Sequence, residues 1–225
     1  MRALVKEAVP AVLAASGATW RDELLARLAA GQKPTEAMLG RYRHPQIKQA
    51  LLKETAEKCA YCESKVRHVT YGDIEHITPK SKVPAKAYEW ENLTLACDVC
   101  NTNKGDTYSD DPALSQDTLV DPYHDDPREH FLFMREVVSP RPDSMRGKAT
   151  EAVVKLTRPE LLERRRERMQ FIDGLVGVYN LADPAYRPML LQDLYDNHLQ
   201  DSNEYVGVTS AYVEHLRSIG VLPPA

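Results

Sequence analysis

Hydrophobic positions recur at helical spacing through the first quarter of the chain, with polar residues filling the intervals. Between Val9 and Lys58, Trp20, Leu24, Leu25 and Leu28 fall on one face, Gly31 supplies a stop, and Pro34 and Pro45 suit the first turns of later helices. The helix beginning near Pro45 carries Ile47, Leu51 and Leu52 on one side and leads into Cys59. From Cys59 to Asp106 the helical period gives way to short segments. These are a turn over Cys59 to Val66, a strand over Ile74 to Ile77, a second strand over Leu93 to Ala96, and a helical turn opened by Asn101. Beyond Asp106 the pattern gives a turn-rich Asp121 to Pro127, a strand over Phe131 to Val138 and another over Ala152 to Lys155. A long helix follows Arg158 and Pro159, with Leu161, Leu162, Met169, Ile172 and Leu175 on its buried side. Two more helices are predicted, Pro188 to Leu199 and Tyr205 to Ile219. The expected fold class is α+β: a mainly helical chain built around a small central β-hairpin-and-helix unit. Three regions follow, an N-terminal helical region (1–58), a central core (59–106) and a mostly helical C-terminal region (107–225) that packs on the core.

The cysteines change this picture most. All four lie in two Cys-x-x-Cys pairs, Cys59/Cys62 and Cys97/Cys100, that bracket the central core. Two separated knuckles of this kind can close a tetrahedral zinc site with no position open for water, which is a structural arrangement. None is left over for a disulfide elsewhere, and in a reducing compartment that distribution favours metal. A thiol–disulfide redox protein is the competing reading, and no thioredoxin-like context surrounds either pair.

Composition is that of an ordinary globular protein, with 43% hydrophobic and 28% charged residues and no apolar run long enough for a membrane span. Charges near the start, Arg2, Lys6 and Glu7, interrupt any export signal, so a cytoplasmic location is expected. A net charge of −4 argues against gripping nucleic acid through overall positive potential. Arg164, Arg165, Arg166 and Arg168 stud the long helix, either as a solvated face or as a nucleic-acid contact. No phosphate-cradling Gly-rich loop occurs, so any ATP site belongs to another subunit.

Candidate chemistry sits between and beside the knuckles. Hydrolysing a phosphodiester needs an activated water, a positive centre for developing charge, and help for the leaving oxygen. His76 can act as general base, because its neutral form accepts a proton near working pH. A hard dication takes oxygen ligands, and Glu75 and Asn101 are the pair chosen here. Asn101 follows Cys100 directly, so a zinc clamp would fix its backbone. Strand alternation sends Glu75 and His76 to opposite faces, so a bulge or turn is expected there to bring both to one site. The Asn92 amide can tie the loop carrying the base to the second strand. Lys104 is suited to a nearby phosphate and Gly105 to a sharp turn.

Read together, Glu75-His76-Ile77-x-Pro79-x-Ser81, Asn92-Leu93 and Cys97-x-x-Cys100-Asn101-x-x-Lys104-Gly105 resemble the motif of HNH endonucleases, the ββα-metal class. The resemblance implies that His76 is the general base, that Glu75 and Asn101 bind a catalytic Mg²⁺ or Mn²⁺, that Asn92 is structural, and that Cys59, Cys62, Cys97 and Cys100 hold a structural zinc. Asp is the commoner acid where this chain has Glu75, and Asn103 is kept as the alternative to Asn101. A narrower resemblance, over roughly the middle half of the chain, rests on Cys59-Ala-Tyr-Cys62-Glu63, Trp90-Glu-Asn92-Leu93, Val120-Asp-Pro-Tyr123 and Asp126-Pro127. These are similar to PtuB-type HNH proteins, nuclease partners of ABC-class ATPases in Septu and related retron anti-phage systems. It implies a nuclease working in a larger complex with a PtuA-like ATPase, with DNA the expected substrate and RNA, including tRNA, the alternative. The rival is a catalytically silent zinc-ribbon subunit that binds nucleic acid or a partner.

Overall fold

A computed structural model describes residues 1–67, 71–108 and 119–224. The expected C-terminal region therefore includes positions, 109–118 and 225, that lie outside the described residues. Three helices open the chain: α1 (Ala11–Ala29), α2 (Glu36–Gly40) and α3 (Pro45–Glu54). Gly31, in a left-handed conformation with φ of 67°, ends the first as expected, and Pro45 takes the first turn of α3. Pro34 differs from expectation. It lies outside α2, because the Thr35 side chain is the cap and accepts from the Met38 N–H at 3.2 Å.

Ile47 and Leu51 of α3 are fully buried against the central unit. That unit begins with the first knuckle and continues into an antiparallel hairpin of β1 (Asp73–His76) and β2 (Leu93–Ala96). Register runs from Asp73 opposite Ala96 to His76 opposite Leu93 without interruption. β1 thus starts one residue earlier than predicted, and it contains no bulge at Glu75 and His76. The chain then enters α4 (Asp98–Lys104) with Cys97 at its N-cap. Asn101 is therefore inside this helix rather than opening it, because the second knuckle itself forms the first turn, the Asn101 N–H donating to Cys97 O at 2.9 Å.

Downstream, the expected strand over Phe131 to Val138 is two strands. A short α5 (Pro127–His130) leads into β3 (Phe131–Met134), which pairs antiparallel with β4 (Val137–Pro140). Arg135, with φ of 52°, makes the reversal, and no Gly, Asn or Asp marks it in the sequence. The predicted strand over Ala152 to Lys155 is the end of a helix, α6 (Met145–Val154). Its Ser144 cap accepts from the Gly147 N–H, and Lys155 closes it in a left-handed conformation. Two β-branched residues, Val153 and Val154, do not outweigh a capped helical run. The long α7 (Pro159–Leu181), α8 (Arg187–His198) and α9 (Val206–Ser218) match expectation within a residue or two.

One hydrophobic cluster runs through Leu13, Leu24, Tyr42, Ile47 and Leu51 of the N-terminal helices into Tyr61, Trp90, Leu93 and Leu95 of the central unit. A second, smaller cluster joins α7, α8 and α9 through Ile172, Val176, Leu194, Val213 and Leu216. The result is a mixed α+β architecture with the two small hairpins embedded among helices, in agreement with the predicted class. No helix among the described residues is long and apolar enough to cross a membrane.

Candidate functional site

The two knuckles meet. The first is a tight turn in which Cys59 N–H donates to Ser64 O at 2.9 Å and Glu63 takes a left-handed φ of 67°. The second sits where β2 passes into α4, and Ala60 N–H donates to Leu95 O at 2.8 Å to seat the first against that strand. The ligand atoms of Cys59, Cys62, Cys97 and Cys100 all lie within 4.8 Å of one another, and Cys62 Sγ is 3.8 Å from Cys97 Sγ. Four sulfurs about 2.3 Å from a central ion would stand roughly 3.8 Å apart, whereas a disulfide needs about 2.05 Å. The donor set and its spacing fit a tetrahedral zinc ion. The Arg158 guanidinium lies 3.7 Å from Cys100 Sγ, where it would offset the negative charge of four thiolates.

The C-terminal region grips this first knuckle. Lys58 Nζ donates to Asn203 O at 2.7 Å, Lys65 N–H to Glu204 Oε1 at 2.6 Å and Gly207 N–H to Glu63 Oε2 at 2.9 Å, while the Ser64 and Tyr205 hydroxyls are 3.0 Å apart. A Cβ at Gly207 would stand 2.6 Å from Glu63 Oε1, so this approach requires glycine.

Glu75, His76 and Asn101 line one cleft of about 470 Å³, together with Lys80, Ser81, Gly105 and Asp106. Leu24 and Leu28 of α1 and Leu39 of α2 supply an apolar wall. The expected bulge is unnecessary. β1 ends at His76, and Glu75 and His76 both line the cleft without a bulge between them.

His76 is only 3% exposed, and its Nε2 lies 2.9 Å from Ala87 O. A carbonyl can only accept, so Nε2 carries the proton and Nδ1 keeps its lone pair. Burial, with the nearby Lys80 and Lys104 charges, pushes the imidazole pKa down to about 4 against the hydrogen bond to Ala87. The Tyr42 ring meets the imidazole edge-on at 4.6 Å.

Asn92 does what its position predicts. Its Oδ1 accepts from Thr78 N–H at 2.7 Å, and its Nδ2 donates to Thr78 O at 2.9 Å and Lys86 O at 3.0 Å. One buried amide thereby fixes both ends of the loop that follows the base.

Lys104 departs from expectation. It is 1% exposed and donates to Glu75 Oε1 at 2.6 Å and to His76 O at 2.8 Å, so it braces the acid from inside and is turned away from any phosphate. Burial pushes the Glu75 carboxyl above the ordinary carboxylate range, and Lys104 holds it back. Gly105, with φ of 51°, provides the expected turn.

Asn101 Nδ2 donates to Asp73 Oδ2 at 2.8 Å, which leaves the amide oxygen as the atom free for a cation. Asn103, the alternative, instead reaches Val154 O of α6 at 3.4 Å. Asp73 was missed. Strand alternation from Glu75 places it on the same face two residues earlier, which is the signal that could have found it. Glu75 and Asn101, which line the cleft, offer oxygens of the kind a hard dication takes, and Asp73 holds the Asn101 amide nitrogen.

The arginines of α7 are not a free basic face. Arg165 is 1% exposed and donates to Leu156 O at 2.7 Å, Arg164 pairs with Glu167, Arg166 with Glu136, and Arg168 donates to His198 O.

Comparison with known proteins agrees with this geometry. Residues 59–107 match the family of HNH endonucleases. Over 207 residues the chain is 26% identical to the Septu protein PtuB of Bacillus mycoides (strain KBAB4), covering 76% of this chain and 70% of that protein. Over 119 residues it is 30% identical to the Septu protein PtuB of Bacillus thuringiensis, covering 52% of this chain and 44% of that one. The motif and its hairpin-and-helix frame accord with these matches: residues 59–107 carry the HNH endonuclease match, and the chain is similar over most of its length to a Septu protein PtuB.

Proposed function

We propose that the protein is a divalent-metal-dependent endonuclease that hydrolyses phosphodiester bonds in DNA, braced by a structural zinc at Cys59, Cys62, Cys97 and Cys100. The observation that carries this reading is the neutral, buried His76, with Nε2 held by Ala87 O, in one cleft with Glu75 and Asn101. Nδ1 of His76 takes a proton from water, whose oxygen then bonds to phosphorus as the bond to the 3′ oxygen breaks. The leaving oxygen takes up a proton, and the products are a 5′-phosphate and a 3′-hydroxyl. Glu75 and Asn101 would hold the divalent cation, with Asp73 orienting the amide, and Mg²⁺ or Mn²⁺ bound there would offset charge on the phosphate and leaving oxygen. Asn92 keeps the His76 loop in register, and Lys104 holds Glu75 in place and favours its charged form against the effect of burial.

One such site cuts one strand, so cleavage of a duplex calls for two copies or two successive nicks. The PtuB relatives support a place in anti-phage defence, and the absence of an ATP-binding loop in this chain supports a separate ABC-class ATPase as partner. Reduced, clustered cysteines support action in the cytoplasm.

The test is nicking of supercoiled plasmid with Mg²⁺ or Mn²⁺, with and without a PtuA-like ATPase, comparing the wild type with His76→Ala. Cutting by the wild type alone is expected. Equal cutting by both removes the mechanism, and no cutting by either, ATPase included, favours a silent binding subunit.

A further inference from the structure

A dianionic pentacoordinate phosphate needs more than one positive centre, and two of the lysines near this cleft are already committed. Lys104 is buried on Glu75 and His76 O, and Lys82 pairs with Asp106 at 3.4 Å. Lys80 is different. It is the lysine that lines the cleft with Glu75, His76 and Asn101, and among the described residues no carboxylate pairs with it. Its ammonium instead rests over the Tyr42 ring, 4.8 Å from the centroid. The same ring meets the His76 imidazole at 4.6 Å, so one buried aromatic touches both groups. Arg43 also approaches Tyr42, its Nε 3.3 Å from the hydroxyl, but it is exposed and does not line the cleft.

We infer that Lys80 is the phosphate-binding cation of this site, contacting a non-bridging oxygen of the scissile group, and that Tyr42, from the N-terminal helical region, is the positioning residue that aims it beside His76. A cation parked on an aromatic face keeps most of its charge available and loses little solvation, so it can transfer to phosphate without breaking an ion pair. Tyr42 lies outside the matched stretch of 59–107, so the site extends beyond its family core into the preceding helices. A lysine held in this way contributes where charge grows, which raises kcat more than it lowers KM.

This inference rests on the nuclease reading, and the experiment separates the two. Plasmid nicking is measured with Mn²⁺ for the wild type, His76→Ala, Lys80→Ala, Lys80→Arg, Tyr42→Phe and Tyr42→Leu, with zinc content and thermal midpoint recorded for each. In parallel, anisotropy of a fluorescent oligonucleotide with no Mg²⁺ or Mn²⁺ added and no chelator present, so that the zinc is kept, gives affinity across a salt series. Lys80→Ala is expected to lower kcat by about 10- to 100-fold with zinc content unchanged, Lys80→Arg to recover most of it, and Tyr42→Phe to stay near wild type. Tyr42→Leu should lose kcat as Lys80→Ala does, and Lys80→Ala added to it should cost little more. The salt slope should fall by roughly 0.7 to 0.9 in Lys80→Ala, one counterion fewer, and be unchanged in His76→Ala. If His76→Ala is inactive while Lys80→Ala cuts and binds like wild type, the inference is overturned and the nuclease reading stands. If His76→Ala cuts as well as wild type, or the wild type neither cuts nor binds with a PtuA-like ATPase included, both fall.

Discussion

His76 and Lys104 show how burial sets the behaviour of single residues here. The imidazole titrates near 4 in the folded chain and about 6.5 when unfolded, so between those values the unfolded state binds the extra proton. Stability from this group is complete above about pH 6.5 and is lost as pH falls towards 4, by on the order of 3 kcal/mol. Urea unfolding at pH 7 and pH 4 should therefore show a larger loss for wild type than for His76→Gln. Cleavage should follow the same group: the acid limb of the pH–rate profile is expected well below 6.5, because the base stays neutral until then. Lys104→Met would strand a buried carboxylate and cost about 3–5 kcal/mol, while Glu75→Gln combined with it should cost less than the two separately. That Glu75 and His76 share a cleft and that Asn92 ties the loop could be anticipated, because both depend on residue type and order. The inward turn of Lys104 could not, since a lysine four residues past a cysteine reads the same whether it faces solvent or an acid.

At the scale of elements, the hairpin β1–β2 and helix α4 form a frame whose loop, residues 77–92, hangs on one side chain. Asn92→Ala removes three hydrogen bonds from buried groups and should lower the thermal midpoint and slow cleavage together, with Asn92→Asp keeping only the bond to Thr78 N–H and falling between. Circular dichroism melts beside a nicking assay check both. Helix α6 has an equally specific demand, because a Cβ at Gly147 would stand 2.4 Å from His130 O. Gly147→Ala should therefore destabilise although alanine favours helices, and a stable variant would show that α6 can shift. Helices with a cap or an initial proline, such as α3 and α7, were legible from sequence. The β3–β4 hairpin was not, because its reversal uses Arg135 in a conformation that favours glycine or asparagine, and packing of Phe131 and Val138 carries the difference.

For the whole molecule, the four-cysteine cluster joins the first knuckle, the passage from β2 into α4, and Arg158 at the start of α7. Purified protein should contain about one zinc per chain, and chelation or Cys97→Ser should unfold the centre and abolish cleavage, which metal analysis with limited proteolysis would detect. Retention of the native melt after complete metal removal would contradict this. Cysteine spacing disclosed the cluster itself, but not that Arg158 stands beside it or that Arg165 is buried nearby, since Arg158 reads only as the residue before a helix and Arg165 as part of a basic helix face. Such long-range placement is a property of packing between α7 and the knuckles, which local periodicity does not encode.

The grip of residues 203–207 on the turn at 58–65 bears on when the enzyme becomes competent during its manufacture. A nascent chain on the ribosome, with residues 203–207 still in the exit tunnel, has its imidazole, carboxylates and thiols in hand yet lacks the strap that closes on the first knuckle. Closure around the first knuckle thus waits for residues made about 140 positions later, and a fragment ending before residue 203 would lack these contacts.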